Sequence, residues 1–376
     1  MSPFHETPGN LAIDSVRTLA PYVPGKPIEE LERELGITNI IKLASNENPF
    51  GPSPQALAAM HAVLSDVWLY PDGSGHQLKR KLSEKLGVAV EQITLGNGSN
   101  DLLVLLAEAF LKPGLEAVYS RYGFAVYPIA VQATGATGVV ADALPADSSM
   151  PLGHDLAAMR RAITPRTRLV FVANPNNPTG TYVGSSELRR FIADVPPHAL
   201  VALDEAYFEY AGGLDIQNGI RWLDEFPNLV VLRTFSKAYG LAGLRVGYAV
   251  SHPSVAAMLN RVRQPFNVSS VALAGAVAAL DDEAHVSAAV KVAVAERVRV
   301  AASLLELGTR ALPSAGNFLL LHVGPQAQRH FDALLRAGII VRPVGNYALP
   351  EYLRVTLGTV EQNDRFLSAW QKILIA

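Results

Sequence analysis

The middle of the chain alternates between short apolar runs typical of strands and segments with helical periodicity. Strand candidates are residues 92–96, 117–120, 168–174, 199–205, 229–235 and 245–250. Most of these runs precede a polar or glycine-rich turn. Strands that alternate with helices indicate a mostly parallel sheet covered by helices. We therefore predict the α/β fold class for this part of the chain.

The pattern changes after about residue 280. A long helix rich in Ala, Val and Leu precedes "NFLLLHV", a helix near residues 328–337, "GIIVRPV", "YLRVTLG" and a final helix over 361–374. This order is typical of a separate, smaller α+β domain. We expect residues 1–40 to form an N-terminal arm and part of the small domain, residues 41–280 the large ligand-binding domain, and residues 281–376 the small C-terminal domain.

The composition argues against several classes of partner. With 32 basic and 34 acidic residues the formal net charge is -2, so we expect neither nucleic acid nor a membrane as a partner. The longest uncharged apolar-rich run, residues 268–280, is shorter than the roughly 20 residues that span a bilayer. The N-terminus lacks the basic start and apolar core of a secretion signal. We expect a cytoplasmic protein that binds small molecules.

Metal and thiol chemistry are not expected either. The chain has no cysteine, which removes disulfides, thiolate catalysis and Cys-based metal sites. The nine histidines show no H-x-x-x-H or H-E-x-x-H spacing. We therefore predict no metal site.

Polar residues form four clusters directly after predicted strands. The clusters are "GNGSND" (96–101), "NPNNPTG" (174–180), "DEAYFEY" (204–210) and "TFSK" (234–237), the last followed by Arg245. Each alone is also explained as a turn, a strand-end acid or a surface lysine. Ligands of open α/β sheets bind beyond the carboxyl ends of the strands, so we expect the four clusters to surround one site.

The cluster "GNGSND" predicts an anion site. Ser99 and Asn100 precede an amphipathic helix, whose free N–H groups and positive dipole end favour a phosphate. Arg245 and the hydroxyl of Ser236 would add donors. Asp101 stands where the dinucleotide motif G-x-G-x-x-G needs its last glycine, and no Walker-type loop is present. We therefore expect the phosphate of a smaller cofactor.

Pyridoxal phosphate requires the side chains that the four clusters offer. Lys237 provides an amine that condenses with its aldehyde, and Asp204 an acid that keeps its ring nitrogen protonated. Asn177 and Tyr207 could donate hydrogen bonds to the ring oxygen. Tyr122 could stack on the ring face, although its position is almost as typical of a core aromatic residue.

These segments resemble the fold-type I pyridoxal-phosphate aminotransferases and, among them, the histidinol-phosphate aminotransferase family. Besides "NPNNPTG" and "DEAYFEY", the resemblance lies in "LAPYVPGKPIEELERELG" (19–36), "IKLASNENPFGPSP" (41–54), "YPDGSG" (70–75), "TFSKAYGLAGLRVGY" (234–248) and "LRVTLGT" (353–359). It implies a mostly parallel, seven-stranded type of sheet in a large domain that binds pyridoxal 5'-phosphate, a smaller α+β domain, and a homodimer with shared active sites.

The resemblance also implies roles for single residues. The expected catalytic residues are Lys237, Asp204 and Tyr207. The expected cofactor contacts are Ser99, Asn100, Asn177, Asp204, Tyr207, Ser236, Lys237 and Arg245, with Tyr122 as above and Tyr70 reaching the cofactor of the neighbouring subunit. Arg354 is expected to bind the anionic group of the substrate, and Tyr22, Asn317 and Arg342 to line the same pocket. The bond Asn177–Pro178 is expected to be cis.

The implied reaction is a transamination from histidinol phosphate to 2-oxoglutarate, in two half-reactions. Close relatives act on aromatic amino acids, and others decarboxylate a phosphorylated threonine, with nearly the same cofactor motifs, so both activities stay open as alternatives. A nicotinamide oxidoreductase and a non-catalytic binding module are rivals from other classes. The binding module is disfavoured because every expected catalytic position is filled.

Overall fold

The structure, a computed structural model, describes residues 8–375. Its α-helices are α1 (Asp14–Arg17), α2 (Ile28–Leu35), α3 (Pro54–Ala62), α4 (His76–Leu86), α5 (Ser99–Phe110), α6 (Val126–Ala133), α7 (Leu156–Arg161), α8 (Ser185–Asp194), α9 (Pro253–Val262), α10 (Ser270–Asp281), α11 (Glu283–Glu306), α12 (Ala327–Arg336) and α13 (Val360–Ile375). Its strands are β1 (Ile41–Lys42), β2 (Ile93–Gly96), β3 (Glu116–Ser120), β4 (Thr137–Ala141), β5 (Thr167–Ala173), β6 (Leu200–Asp204), β7 (Leu229–Thr234), β8 (Gly247–Ser251), β9 (Arg310–Ala311), β10 (Phe318–His322), β11 (Ile339–Ile340), β12 (Arg342–Pro343) and β13 (Tyr352–Thr356).

A seven-stranded sheet forms the centre of residues 93–251, in the order β2-β8-β7-β6-β5-β3-β4. β8 runs antiparallel to both of its neighbours, and the remaining pairs are parallel. Side chains of one strand alternate between the two faces: in β5, Val170 and Val172 pack into one apolar cluster, whereas Leu169 and Phe171 pack into the other. The predicted α/β class with a mostly parallel seven-stranded sheet is confirmed.

The sequence does not predict β4, the outermost strand of this sheet. Thr137, Gly138 and Val140 of this strand are exposed, and only Ala141 is fully buried. An edge strand with so little burial needs no apolar run, so the pattern that revealed the inner strands is missing here.

The C-terminal region forms its own sheets. An antiparallel sheet has the order β12-β13-β10-β9, and β1 pairs in parallel with β11. The segment "GIIVRPV" therefore forms two short strands in different sheets. Phe366 and Trp370 of α13 pack with Val300 of α11 and Leu319 of β10 in a separate apolar core. This region has the α+β character expected of the smaller domain.

The N-terminal residues contact both regions. Leu31 of α2 packs with Ala44 and Ile340. α1 instead lies against α6, where Gln132 Nε2 donates a hydrogen bond to Ser15 O at 3.0 Å. The domain division 1–40, 41–280 and 281–376 stays a prediction, and the pairing of β1 with β11 favours a first boundary a few residues later. Residues 1–7 of the expected arm lie outside the described residues.

Within residues 8–375, no helix combines the length and the apolar character that are needed to cross a membrane.

Candidate active site

A cavity lies at the carboxyl ends of β5, β6 and β7, where the four polar clusters meet. The space between its walls is about 830 Å³ when its open mouth is included. The predicted site residues that line it are Tyr22, Ser99, Asn100, Asn177, Asp204, Tyr207, Ser236, Lys237, Arg245, Arg342 and Arg354.

Lys237 follows β7 and extends its amine into this cavity. Its Nζ donates a hydrogen bond to the carbonyl oxygen of Ser45 at 2.9 Å. Burial, together with the positive charge of Arg354, lowers the pKa of the Lys237 amine to about 8. A substantial fraction of the amine is therefore neutral near physiological pH, as nucleophilic and base chemistry requires.

Asp204 is the last residue of β6, and its carboxyl group lies at the floor of the cavity. Its Oδ2 accepts a hydrogen bond from the Tyr127 hydroxyl at 3.1 Å, and its Oδ1 accepts one from the Ala206 N–H at 3.2 Å. Burial raises the pKa of Asp204 to about 6. A cationic group bound opposite would favour the ionised carboxylate.

Asn177 and Tyr207 lie between these two charged groups and the C-terminal region. The Tyr207 hydroxyl accepts a hydrogen bond from Asn46 Nδ2 at 2.9 Å. Asn177 Oδ1 accepts one from Arg354 Nη1 at 2.5 Å, so the amide N–H groups of Asn177 are available to a ligand. The bonds Asn174–Pro175 and Asn177–Pro178 are both cis, which confirms the prediction for the second and adds the first.

The opposite end of the cavity is suited to a phosphate. α5 starts there behind Gly98, and no side chain of residues 8–375 caps it, which leaves its first N–H groups to a ligand. Arg245 Nη1 lies 3.2 Å from the Ser236 hydroxyl oxygen, which gathers two more donors at this end. Gly247 permits this arrangement, because a Cβ atom there would lie only 2.6 Å from the backbone nitrogen of Ser99.

Two arginines form the side of the cavity next to the C-terminal region. Arg342 Nη2 donates to the carbonyl oxygen of Val23 at 2.5 Å, and its guanidinium carbon lies 5.9 Å from the centre of the Tyr22 ring. Arg354 is buried, and its Nε has no hydrogen-bond partner among the described residues. A buried guanidinium with an unused donor is well suited to bind an anionic ligand.

Three predicted site residues do not line the cavity. Tyr122 packs beside the apolar cluster that contains Leu152 and Tyr347, and Phe124 lines the cavity instead. The expected stacking role of Tyr122 stays a prediction, and Phe124, two positions later in the turn after β3, is the aromatic residue of this turn that lines the cavity. We accordingly propose Phe124 for that role.

The other two residues are Asn317 and Tyr70. Asn317 Nδ2 donates to the carbonyl oxygen of Asn46 at 3.2 Å, so it supports the cavity wall from behind. Tyr70 is 83% exposed and stacks on Phe266 with ring centres 4.8 Å apart. Its expected role in a neighbouring subunit stays a prediction.

Sequence reasoning missed several residues that the fold brings to the site, namely Ser45, Asn46, Phe124 and Tyr127. Ser45 and Asn46 follow β1, a two-residue strand outside the central sheet. The search for polar clusters after the strands of the central sheet therefore did not include them. Tyr127 lies in α6 between apolar residues and has the pattern of a plain core aromatic. The sequence signal for Ser45 and Asn46 was the segment "LASNEN", part of the family resemblance over residues 41–54.

Comparison with known proteins places this site in a family. The sequence model of the family "Aminotransferase class I and II" matches residues 38–369. The protein named histidinol-phosphate aminotransferase 2 of Methylococcus capsulatus is 54% identical over 365 residues, which cover 97% of this chain and 98% of that protein. The chain belongs to the histidinol-phosphate aminotransferase family of class I and II aminotransferases. The resemblance of its motifs is thereby confirmed.

Further members of the histidinol-phosphate aminotransferase family match over comparable lengths. Histidinol-phosphate aminotransferase 2 of Pseudomonas aeruginosa is 54% identical over 366 residues, 97% of this chain and 98% of that protein. The crystal structure of histidinol-phosphate aminotransferase from Sinorhizobium meliloti in complex with pyridoxal-5'-phosphate superposes with a TM-score of 0.88 at 30% identity and covers 100% of this chain and 99% of that chain. Residues 8–375 therefore have the fold of that family member.

Proposed function

We propose that this protein is a histidinol-phosphate aminotransferase with pyridoxal 5'-phosphate as its cofactor. It transfers the amino group of L-histidinol phosphate to 2-oxoglutarate and yields imidazole acetol phosphate and L-glutamate, a step of histidine biosynthesis. The observation that supports this most is one cavity lined by Lys237, Asp204 and an uncapped helix end, with Arg342 and Arg354 beside them. Relatives over nearly the whole chain have the same name.

The side chains of the cavity fit this cofactor. When bound, pyridoxal phosphate supplies an aldehyde carbon that bonds to amines and a ring that accepts an electron pair from the substrate's α carbon. We assign its phosphate to Ser99, Asn100, Ser236 and Arg245, its ring oxygen to Asn177 and Tyr207, its ring nitrogen to Asp204, and one ring face to Phe124. The amide of Asn177, the uncapped start of α5 and the buried carboxyl of Asp204 each offer the polarity that its assigned group requires.

Lys237 provides the amine for the covalent bond and then moves protons. With cofactor and substrate bound, the Lys237 amine would be the general base for the proton of the substrate's α carbon. Its pKa of about 8 suits this role, because a base works best when its pKa lies near the working pH. We expect ping-pong kinetics, since amino donor and acceptor use the same cavity in turn.

Arg354 and Arg342 bind the anionic end of the substrates. Arg354 is held by Asn177 and by the carbonyl oxygen of Ala44, both neutral partners, so its charge is available to a phosphate or a carboxylate. A phosphate with two negative charges can use Arg342 as a second cation, whereas a carboxylate needs it less. One pocket can therefore accept histidinol phosphate and glutamate in successive half-reactions.

We also propose a homodimer with shared active sites, in which Tyr70 of each subunit completes the phosphate site of the other. Residues 67–70, Val-Trp-Leu-Tyr, support an interface here, with exposed fractions of 58%, 78%, 52% and 83% in the single chain. Contiguous exposed apolar side chains of this size typically mark a protein contact. A cytoplasmic location stays a prediction from the composition.

Single-turnover assays with histidinol phosphate, phenylalanine and glutamate test the proposed substrate. Arg354→Ala should slow the half-reactions with both histidinol phosphate and glutamate, by a factor on the order of 10² or more, because an anion loses its buried partner. Arg342→Ala should slow the half-reaction with histidinol phosphate more than the half-reaction with glutamate. Arg336→Ala, at an exposed position of α12, is the control and should change neither. If the unaltered enzyme converts phenylalanine far faster than histidinol phosphate, its substrate is an aromatic amino acid instead.

A further inference from the structure

Tyr127 is a buried tyrosine with a role that the reaction described above leaves open. Its side chain is fully buried in α6, and its hydroxyl oxygen lies 3.1 Å from Asp204 Oδ2. Its ring stacks on the Phe171 ring, with ring centres 4.8 Å apart and an interplanar angle of 10°. The Phe124 ring lies nearly perpendicular to it, with ring centres 5.9 Å apart. The ring therefore cannot turn away without disrupting the core, and the hydroxyl is held at the carboxylate.

We propose that Tyr127 is a positioning residue, whose hydroxyl fixes both the orientation and the negative charge of Asp204 toward the cavity. The inference rests on the proposed function, in which Asp204 faces the ring nitrogen of the cofactor. Tyr127 itself touches neither cofactor nor substrate in this scheme. It acts through the carboxylate: the residues that line the cavity include Asp204 but not Tyr127.

The surroundings of Asp204 show why one hydroxyl matters. Among the described residues, the direct donors to this carboxyl group are the Tyr127 hydroxyl and the Ala206 N–H. The other charged groups near it are Glu205, which opposes its ionisation, and Lys237, which favours it. Glu205 is itself paired with Arg233, whose Nε lies 2.7 Å from it.

The charge of the carboxyl group is therefore finely balanced. Burial raises the pKa of Asp204 to about 6 even with both donors in place, while burial and the nearby Asp204 charge keep the pKa of Tyr127 well above its usual value. Tyr127 is consequently a permanent neutral donor over the physiological range. Removal of its hydroxyl leaves the buried carboxylate with one direct donor and favours its protonation.

Titration of Asp204 in the full-length chain without cofactor tests this directly. Carbon-13 in the aspartate carboxyl groups reports the titration by NMR, and the Asp204 signal is the one lost in Asp204→Asn. In Tyr127→Phe its midpoint should rise by roughly one pH unit or more, the scale of a hydrogen bond to a charged group. Tyr119→Phe is the matched control: Tyr119 belongs to the same apolar cluster, its hydroxyl points to Gly138, and its loss should leave the midpoint unchanged.

A second variant keeps the test decisive if Tyr127→Phe does not fold. 3-Fluorotyrosine placed at position 127 retains the ring and the hydroxyl but makes the hydroxyl a stronger donor, so the Asp204 midpoint should fall. An unchanged midpoint in Tyr127→Phe, or in the fluorinated protein where the first does not fold, overturns the proposal.

Cofactor binding gives an independent readout. The unaltered protein should bind pyridoxal phosphate more tightly than its analogue with carbon in place of the ring nitrogen, and Tyr127→Phe should narrow this preference while Tyr119→Phe preserves it. An equal preference in all three proteins contradicts a role of Tyr127 in positioning Asp204. Failure of the unaltered protein to bind pyridoxal phosphate would instead refute the proposed function, and the titration would still decide whether Tyr127 controls Asp204.

Discussion

Asp204 and Lys237 show opposite pKa shifts for one physical reason. Burial disfavours the charged form of each, so the pKa of the acid rises to about 6 and that of the amine falls to about 8. Both pKa values thus lie closer to neutral pH, where each group changes its protonation state readily. Pairs of buried titratable groups in a cleft are typical of active sites.

The shift of Asp204 predicts how stability depends on pH in the cofactor-free protein. Its pKa rises from 3.8 to about 6, so between these values the folded chain binds more protons than the unfolded chain. As the pH rises from about 4 to about 6, the free energy of unfolding of the unaltered protein should therefore fall by roughly 3 kcal/mol relative to that of Asp204→Asn. Urea unfolding of both proteins from pH 4 to pH 8 measures this.

Asp147→Asn, at an exposed position, is the control for this experiment and should leave the profile unchanged. If the difference in unfolding free energy between the unaltered protein and Asp204→Asn is the same at pH 4 and at pH 7, the environment assigned to Asp204 is not the one that the protein has.

At the scale of single elements, the start of α5 depends on its close approach to β8. A Cβ atom at Gly247 would lie 2.6 Å from Ser99 N and 2.9 Å from Arg233 O, and backbone atoms cannot move aside as a flexible side chain would. Gly247→Ala should therefore displace the start of α5, destabilise the protein by about 1–3 kcal/mol and weaken cofactor binding. Urea unfolding and titration with pyridoxal phosphate measure the two effects.

Gly243 offers a matched control for this substitution, because a Cβ atom there would have none of the described residues within 4 Å apart from its chain neighbours. Gly243→Ala should have little effect on either quantity. Equal effects of the two substitutions would show that the helix end does not depend on the missing side chain at position 247.

Local patterns in the sequence were sufficient for most elements. The helix predicted near 328–337 is α12 at Ala327–Arg336, and the strand predicted over 199–205 is β6 at Leu200–Asp204. Such elements have strong periodicity or nearly complete burial, and both leave a recognisable pattern of apolar residues in the sequence. β4 lacked that signal because it is exposed at the sheet edge.

Contacts between distant segments could not be predicted in this way. The hydrogen bonds Asn46–Tyr207, Tyr127–Asp204 and Ser45–Lys237 join residues that are 161, 77 and 192 positions apart. No periodic pattern links such positions, since the fold alone decides which segments meet. The sequence therefore predicted most of the polar groups that line the cavity, but not their hydrogen-bond partners Ser45, Asn46 and Tyr127.

At the scale of the whole molecule, the shared-site dimer makes a prediction about mixed chains. Lys237→Ala and Tyr70→Phe should each be severely impaired alone. In a heterodimer of the two, one site has both residues intact, so mixing them under conditions of subunit exchange should restore about half of the activity of a normal dimer to each heterodimer. Activity measured against the time of mixing checks this.

Lys237→Ala mixed with Lys237→Arg provides the control, because both chains lack the same residue and no intact site can form. If the first mixture exchanges subunits, as mass spectrometry of the intact dimers would show, and recovers no activity, Tyr70 does not act across the interface.

Borohydride reduction of the protein loaded with pyridoxal phosphate tests directly whether the cofactor is bound covalently through Lys237. Reduction makes the bond permanent, and mass spectrometry of the digested protein locates it. We predict that the visible absorption is bleached and that the added mass lies on Lys237, whereas Lys237→Ala acquires no label at that peptide. A label on another lysine, or a colourless protein that acquires no label, would contradict the assignment of Lys237 as the residue that binds the cofactor covalently.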